Sequence, residues 1–261
     1  MGTKTRYLHL AAATAIALSA TPGSPSRSAA IERKSSAAKA ASSGHSEGHE
    51  AGTVSGTVRV IGAQAAAARI NMAAADPACL RIHPTPMMSE EVVTEANGAL
   101  KNVIVYISNG VGNRSFDPPK EPAVFEQKGC SYSPRVLGMQ ASQSLQIVNL
   151  DPTSHNIHPV PQNNREWNII QPPGSSPIAE TFTREEIIPV RCNVHPWMKG
   201  YIAVFKHPYF AITKEDGTFD LKDVPPGEYM IQAWHEKYGV LTQKVTLEGN
   251  QTKVLEFVFK P

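Results

Sequence analysis

Short apolar runs, separated by glycine, proline, asparagine and aspartate, fill the chain from Thr53 to Pro261. The runs are rich in valine, isoleucine, phenylalanine and tyrosine, which is the composition of β-strands. The residues between the runs are those that form turns. The pattern therefore predicts an all-β fold made of one or two β-sandwiches. The clearest predicted strands are 54–60, 103–107, 145–148, 187–190, 201–205, 229–234 and 254–259.

Two features of the last third of the chain predict particular turns and strands. Residues 216–217 are Asp-Gly and lie between the apolar segments 211–213 and 219–221, which predicts a β-hairpin. Residues 225–227 are Pro-Pro-Gly, a turn sequence, and the residues after them alternate in the strand period of two. Only the alanine-rich stretch 63–75 has the composition of a helix, and it lacks an amphipathic stripe.

The first 20 residues follow a different pattern. They carry Lys4 and Arg6, then an apolar run, and no acidic residue, as a secretory signal peptide does. The run is too short to span a bilayer, so we expect no membrane span. Small residues follow, which places cleavage after Ala20 or as late as Ala30. We therefore expect an exported protein, either periplasmic or secreted.

Residues 21–52 consist almost entirely of alanine, serine, glycine, proline and scattered charges. This composition cannot bury a core and predicts a flexible linker. His45 and His49 lie in it and can at most hold a metal ion loosely. The linker interpretation is the simpler one for both histidines.

The charge balance argues against a nucleic-acid partner. Residues 1–30 hold three of the 25 basic residues and none of the 23 acidic residues, so the chain without them is close to neutral. Nucleic-acid-binding domains usually carry a clear basic excess. The sequence also shows no nucleophile–base pair, carboxylate dyad or phosphate-binding loop. We therefore expect a protein that is not an enzyme.

Three types of metal ligand occur within seven residues, at Cys192-x-x-His195-x-x-Met198. A thiolate, an imidazole and a thioether suit copper that cycles between two oxidation states, provided that a second imidazole joins them. Each residue alone has an ordinary structural explanation, since methionine often fills cores and a buried thiol can be inert. Their joint spacing favours a copper site.

The second imidazole is expected from residues 148–158, where a predicted strand runs into a loop. This segment offers His155, followed by Asn156, and His158 three residues later. His155 lies 37 residues before Cys192, so the two loops can meet only on a prefolded scaffold. We prefer His155 and keep His158 as the alternative.

The three cysteines of the chain bear on the same site. Exported proteins usually pair their structural thiols, so an odd cysteine needs a reason. If Cys192 is a metal ligand, Cys79 and Cys130 remain as a disulfide pair. The alternative is that Cys79, four residues before His83, is itself a ligand. We favour the disulfide, because no other thiol or imidazole lies near enough in sequence to complete a metal site there.

These motifs resemble the cupredoxin, or blue copper, family, most closely the plastocyanin and pseudoazurin type. The resemblance covers roughly 114–205 and rests on Tyr132-Ser133-Pro134 with the strand after it, on His155-Asn156, and on the motif from Cys192 to Met198 with its following strand. It implies a Greek-key sandwich that holds one type 1 copper ion.

The resemblance also assigns roles to single residues. His155 and His195 are the implied imidazole ligands, Cys192 the thiolate and Met198 the axial thioether. Asn156 is expected to join the two ligand loops by hydrogen bonds. By the same resemblance, His195 is expected near the surface, together with Pro196 and Trp197, where a redox protein partner docks.

The outer segments resemble a second family, the carboxypeptidase regulatory-like, or transthyretin-type, sandwich. The resemblance rests on residues 54–58 and 100–106 on one side and on residues 210–229 on the other. The simplest account is a cupredoxin domain at 111–206, inserted in or fused to a second small sandwich made of 53–110 and 207–261. We expect this second sandwich to be a scaffold or a docking surface.

A copper ion whose four ligand positions are filled by protein has no open position for a substrate. We therefore expect an exported type 1 copper protein that carries single electrons between redox partners. Two other functions compete with this expectation. The chain can be an exported β-sandwich with a binding or structural role, or a copper carrier without a role in electron transfer.

Overall fold

The computed structural model describes residues 50–62, 66–72, 76–83 and 85–260. Contact clustering divides the chain into Met1–Ser46 and Glu47–Pro261, and every described residue belongs to the second unit. The predicted signal peptide, most of the predicted linker, His45 and His49 lie outside the described residues. Within the described residues, no helix is long and apolar enough to cross a membrane.

Sixteen strands and one short helix make up the described part, so the all-β prediction is confirmed. Each of the predicted strands lies wholly or mostly within an observed one. In chain order the elements are β1 Gly52–Val60, α1 Pro77–Ile82, β2 Ile104–Asn109, β3 Ala123–Lys128, β4 Ser131–Ser133, β5 Val136–Gln140, β6 Ser144–Asn149, β7 His155–Pro159, β8 Ile169–Gln171, β9 Ile178–Thr181, β10 Glu186–Arg191, β11 Lys199–Phe205, β12 Phe210–Ile212, β13 Thr218–Val224, β14 Gly227–His235, β15 Gly239–Leu247 and β16 Thr252–Phe259.

Two of the four sheets form what we call the outer sandwich. One sheet has the strand order β13-β1-β16, in which β1 runs antiparallel to β13 and parallel to β16. The other has the order β12-β2-β14-β15. Alternate side chains of β14 are buried, as its period predicts, and they join the apolar core between the two sheets.

The other two sheets form the inner sandwich, which contains only strands from the middle of the chain. Their orders are β5-β11-β10-β7-β8 and β4-β3-β6-β9. The core between them is apolar and includes Phe125, Leu145, Ile147 and Ile202, each with no solvent exposure. Parallel pairing of β11 with β5 and of β3 with β6 shows that sequence neighbours are not always sheet neighbours.

Strand pairing separates the two sandwiches along the chain. The outer sandwich takes β1 and β2 from before the inner sandwich and β12 to β16 from after it. The inner sandwich takes β3 to β11, which are consecutive. The domain boundaries at 53–110, 111–206 and 207–261 stay a prediction.

A third apolar cluster lies between the sandwiches and fixes them to each other. It contains Ile104 of β2 together with Ala203 and Phe205 of β11, all buried. Tyr106 and Phe210 pack against Phe205, with ring centroids 4.9 and 4.7 Å away. The inner sandwich is therefore held by packing as well as by its two chain connections.

Two local predictions are corrected by the structure. Residues 216–217 do form a tight turn, with a positive φ of 73° at Gly217, but β12 and β13 on its two sides enter different sheets, so they are not a two-stranded hairpin. Residues 66–72, the middle of the alanine-rich stretch, are not helical. The helix lies just after this stretch, at Pro77–Ile82, where Asp76 caps its first turn.

Candidate metal centre

The ligand loops meet at one end of the inner sandwich because the strands that carry them are neighbours. Strands β7 and β10 pair antiparallel, with Arg191 opposite His158. His155 is the first residue of β7, and Cys192 directly follows β10. The loop 192–198 then returns into β11, which pairs with β10 on the other side. The sheet thus places both loops at the same edge.

Three of the predicted ligands lie together. The Nδ1 atoms of His155 and His195 are 2.9 Å apart, and the sulfur of Cys192 is 3.7 Å from Nδ1 of His195. All three ligand atoms fall within 4.8 Å of one another. Both imidazoles are fully buried and Cys192 is 4% exposed. We call these three residues the ligand cluster.

Met198 closes the loop that carries two members of the cluster. Its N–H donates to the carbonyl of His195 at 3.0 Å, and its carbonyl accepts from the N–H of Cys192 at 3.0 Å. Its side chain is buried in the same apolar core as Cys192. The loop is therefore a closed turn in which the thiol, the imidazole and the thioether have fixed places.

His158, the alternative ligand, lies outside the ligand cluster. Its Nδ1 is 3.1 Å from Oδ1 of Asn193, and its Nε2 is 2.7 Å from a carboxylate oxygen of Glu166. Both ring nitrogens thus have partners of their own. The alternation of side chains along β7 would place residues 155 and 158 on opposite faces of an ideal strand.

Asn156 joins the two ligand loops, as the resemblance implied. Its side-chain oxygen accepts from the N–H of Asn193, and its own N–H donates to the sulfur of Cys192 at 3.5 Å. Its amide nitrogen donates to Asn168, and its carbonyl accepts from the hydroxyl of Tyr132 at 2.6 Å. Sequence reasoning did not find the contributions of Tyr132 and Asn168.

Cys79 and Cys130 form a disulfide, so neither offers a free thiol. The sequence holds three cysteines, which leaves Cys192 as the free one. His83 is not near a metal-binding group, since its Nε2 bonds to the carbonyl of Gly129 at 2.6 Å. The alternative in which Cys79 and His83 start a metal site of their own therefore lacks support in this disulfide-bonded form.

Two carboxylates that sequence reasoning missed bind the outer nitrogens of the ligand cluster. Asp151 is 2.8 Å from Nε2 of His155 and also accepts from the N–H groups of Gly129 and Cys130. Asp76 is 3.2 Å from Nε2 of His195. The position of Asp151, four residues before His155 in the same loop, was a signal that could have been used. Asp76 gave none, because 119 residues separate it from His195.

The predicted position of His195 near the surface is wrong. Its side chain has no solvent exposure, because Asp76 and Cys79 cover the Nε2 edge, with the sulfur of Cys79 3.6 Å from that nitrogen. The exposed part of the loop is Pro196. Trp197 is half-buried, lies 5.2 Å from the ring of His195 between centroids, and donates its indole N–H to the carbonyl of Cys130 at 3.1 Å.

The protonation of the cluster without metal follows from burial and from these partners. Burial favours neutral His155, but the Asp151 carboxylate and the Cys192 sulfur outweigh it and raise the pKa of His155 to about 9. Burial also raises the pKa of Cys192, yet the hydrogen bonds from His155 and from the Asn156 N–H bring it below the usual value. Burial lowers the pKa of His195, and nearby His155 adds to this shift, although Asp76 opposes it.

The donor set fits a copper ion. It combines one thiol with a lowered pKa and two imidazole nitrogens in a buried pocket, with a thioether in the same loop. Soft sulfur with nitrogen donors is the combination that suits copper in both oxidation states. Both imidazoles have a hydrogen-bond partner on their other nitrogen, as metal-bound histidines usually do.

Comparisons with known proteins match the two sandwiches separately. Residues 208–256 match the family model described as BOS complex subunit NOMO1-like, second beta sandwich domain. No curated protein matches the chain. The family match covers only part of the outer sandwich and shows a β-sandwich there.

Solved structures similar to the chain are copper proteins. A copper-containing nitrite reductase from Thermus scotoductus SA-01 is 23% identical over 37% of this chain and 25% of its own, with a TM-score of 0.32. A purple cupredoxin from Nitrosopumilus maritimus is 22% identical over 31% of this chain and 98% of its own, with a TM-score of 0.28. A reduced amicyanin variant is 19% identical over 38% of this chain and 97% of its own, with a TM-score of 0.29. Because these TM-scores are below 0.5, the chemistry of the site is argued from its own residues.

Proposed function

We propose that the chain is an exported type 1 copper protein that carries single electrons between redox partners. The observation that supports this proposal is the ligand cluster itself. Ligand atoms from His155, Cys192 and His195 converge within 4.8 Å in a buried pocket. The residues that would hold the ion are these three and Met198. When bound, copper supplies one-electron exchange between its two oxidation states.

The chain's own residues favour electron transfer over catalysis. The apolar core and the covering residues around Asp76 keep the cluster out of water. The loop hydrogen bonds of Met198 and the bridge through Asn156 keep the ligands in place, so little has to rearrange when charge changes. Four protein ligands leave no position for a substrate, and we therefore propose no enzymatic role.

Export is part of the proposal and has independent support from the disulfide. Structural disulfides persist in oxidising compartments, and Cys79 and Cys130 are paired. The partner we propose is another redox protein. Since Asp76 and Cys79 cover His195, the accessible part of the ligand loop is Pro196 with the edge of Trp197.

A redox titration of the copper-loaded chain tests the electron-transfer function. We expect one electron to be taken up and released reversibly for each copper bound, with the same midpoint in both directions. Bound copper that cannot be cycled without loss of metal would contradict the proposal and favour a copper carrier.

A further inference from the structure

Asp76 belongs to a short segment that the proposed ligand set does not require. It precedes α1, Pro77–Ile82, and lies outside the inner sandwich in the chain. The disulfide between Cys79 and Cys130 ties this segment to the loop after β3. The result is a cover over the ligand cluster, made of residues 76–83, with one carboxylate aimed at His195.

The carboxylate of Asp76 is held from two directions. Its Oδ1 accepts from the N–H of Ala78 at 2.7 Å, and its Oδ2 accepts from the hydroxyl of Thr153 at 2.8 Å. The same Oδ2 lies 3.2 Å from Nε2 of His195. The side chain is 18% exposed, so water screens it only in part. An acceptor that is fixed in this way can orient the ring that donates to it.

The partner of Asp76 is a neutral imidazole with one N–H to place. A carboxylate accepts a hydrogen bond and cannot donate one, so it favours the proton on Nε2. That leaves the lone pair on Nδ1, the atom that faces His155 and Cys192. Asp151 does the same for His155, from within the same loop. Both histidines are thus directed into the cluster by carboxylates.

We infer that Asp76 is a positioning residue for His195, which holds the ring with Nδ1 toward the cluster and lowers the reduction potential of the bound copper. The second effect follows from its negative charge, which favours the more highly charged oxidation state of a nearby ion. This inference rests on the proposed copper function.

Two substitutions separate the two effects. Asp76→Asn removes the charge but keeps an oxygen that can cap α1 and accept from Nε2. Asp76→Ala removes both. We expect Asp76→Asn to shift the relative affinity toward Cu(I) roughly tenfold, which corresponds to a rise of ~59 mV in the potential of a one-electron couple.

Glu166→Gln is the matched control. Glu166 forms the same kind of carboxylate–imidazole pair, but with His158, outside the ligand cluster. We expect this variant to leave the potential unchanged. Equal potentials for the natural chain and Asp76→Asn, or an equal rise in Glu166→Gln, would overturn the electrostatic role of Asp76.

The metal-free chain gives a second readout that does not depend on copper. Long-range proton–nitrogen NMR spectra report which ring nitrogen of His195 carries the proton. We expect Nε2 in the natural chain and in Asp76→Asn, and a mixture of both tautomers in Asp76→Ala. A pure Nε2 tautomer in Asp76→Ala would overturn the positioning role. If the chain bound no copper, the proposed function would fail, while this comparison would still decide whether Asp76 positions the ring.

Discussion

Buried histidines occupy opposite kinds of environment in this molecule. His155 and His195 face one another and a thiol, and their outer nitrogens meet carboxylates. His207 and His235 are instead satisfied by backbone groups and aromatic rings. The same residue type is therefore a ligand in one case and part of a core in the other, and only the neighbours tell them apart.

The choice between His155 and His158 leads to a prediction at this scale. We expect His155→Ala to weaken copper binding at least tenfold, because it removes one donor of the cluster. His158→Ala should leave the affinity within about twofold, since His158 bonds to Asn193 and Glu166 instead. Competition with a chelator of known affinity measures both variants. The reverse order would make His158 the ligand.

A second prediction concerns His235 and acid. Burial, helped by the charge of Arg135, lowers the pKa of His235 from 6.5 to about 4. Below pH 6.5 the unfolded chain binds a proton at this residue and the folded chain does not, so the free energy of unfolding falls until about pH 4. The shift corresponds to at most roughly 3 kcal/mol. Urea unfolding at several pH values should show a shallower loss in His235→Gln. The variant controls for His207, whose pKa burial also lowers. Identical slopes would contradict the prediction.

Sequence reasoning reached the ligand cluster because its members lie in two short motifs with fixed spacing. It missed Asp76, which approaches His195 from 119 residues earlier in the chain. For the same reason it placed His195 near the surface. Neither residue type nor local spacing tells which remote segment covers a loop, and here that cover is a helix of six residues.

At the scale of elements, β1 is the strand on which one sheet of the outer sandwich depends. It lies between β13 and β16 and pairs with both over most of its length. The period of two predicted this strand and its buried face. The sheet partners were not predictable in the same way, because β16 joins β1 from the far end of the chain and β12 and β13 separate at a turn that reads as a hairpin.

Gly56 shows how closely β1 is packed. A Cβ atom at this position would overlap the carbonyl oxygen of Leu255 in β16 and lie 2.9 Å from the ring of Phe219 in β13. We expect Gly56→Ala to lower the free energy of unfolding by about 3 kcal/mol, because backbone on one side has to move. The neighbouring control, Ser55→Ala, should cost about 1 kcal/mol or less. Urea denaturation measures both, and similar small losses would show that β16 can shift freely.

At the scale of the whole molecule, the two sandwiches are joined by an apolar cluster and by one buried ion pair. Arg135, between β4 and β5, binds Glu236, directly after β14, through two hydrogen bonds of 2.6 and 2.9 Å. Their side chains are 10% and 8% exposed. The all-β class was predictable from the apolar pattern. This contact was not, because it depends on how two separately folded surfaces meet.

The buried pair leads to a prediction about stability. Glu236→Gln leaves the charge of Arg135 buried without its partner, and we expect a loss of about 3 kcal/mol in the free energy of unfolding. The exposed pair of Lys244 and Glu228, 2.8 Å apart with side chains 61% and 65% exposed, is the control. Glu228→Gln should change stability by at most about 1 kcal/mol. Equal effects in thermal or urea unfolding would mean that the two sandwiches do not depend on this pair.

The visible spectrum of the copper-loaded chain tests the central claim most directly. Addition of Cu(II) to the purified chain should produce one strong absorption band from charge transfer between the sulfur of Cys192 and copper, at one copper per chain. The band should vanish in Cys192→Ser, while the Cys79–Cys130 disulfide stays intact. A chain that binds one copper and stays colourless would contradict the account, because the ion would then not be bound to the thiolate of Cys192.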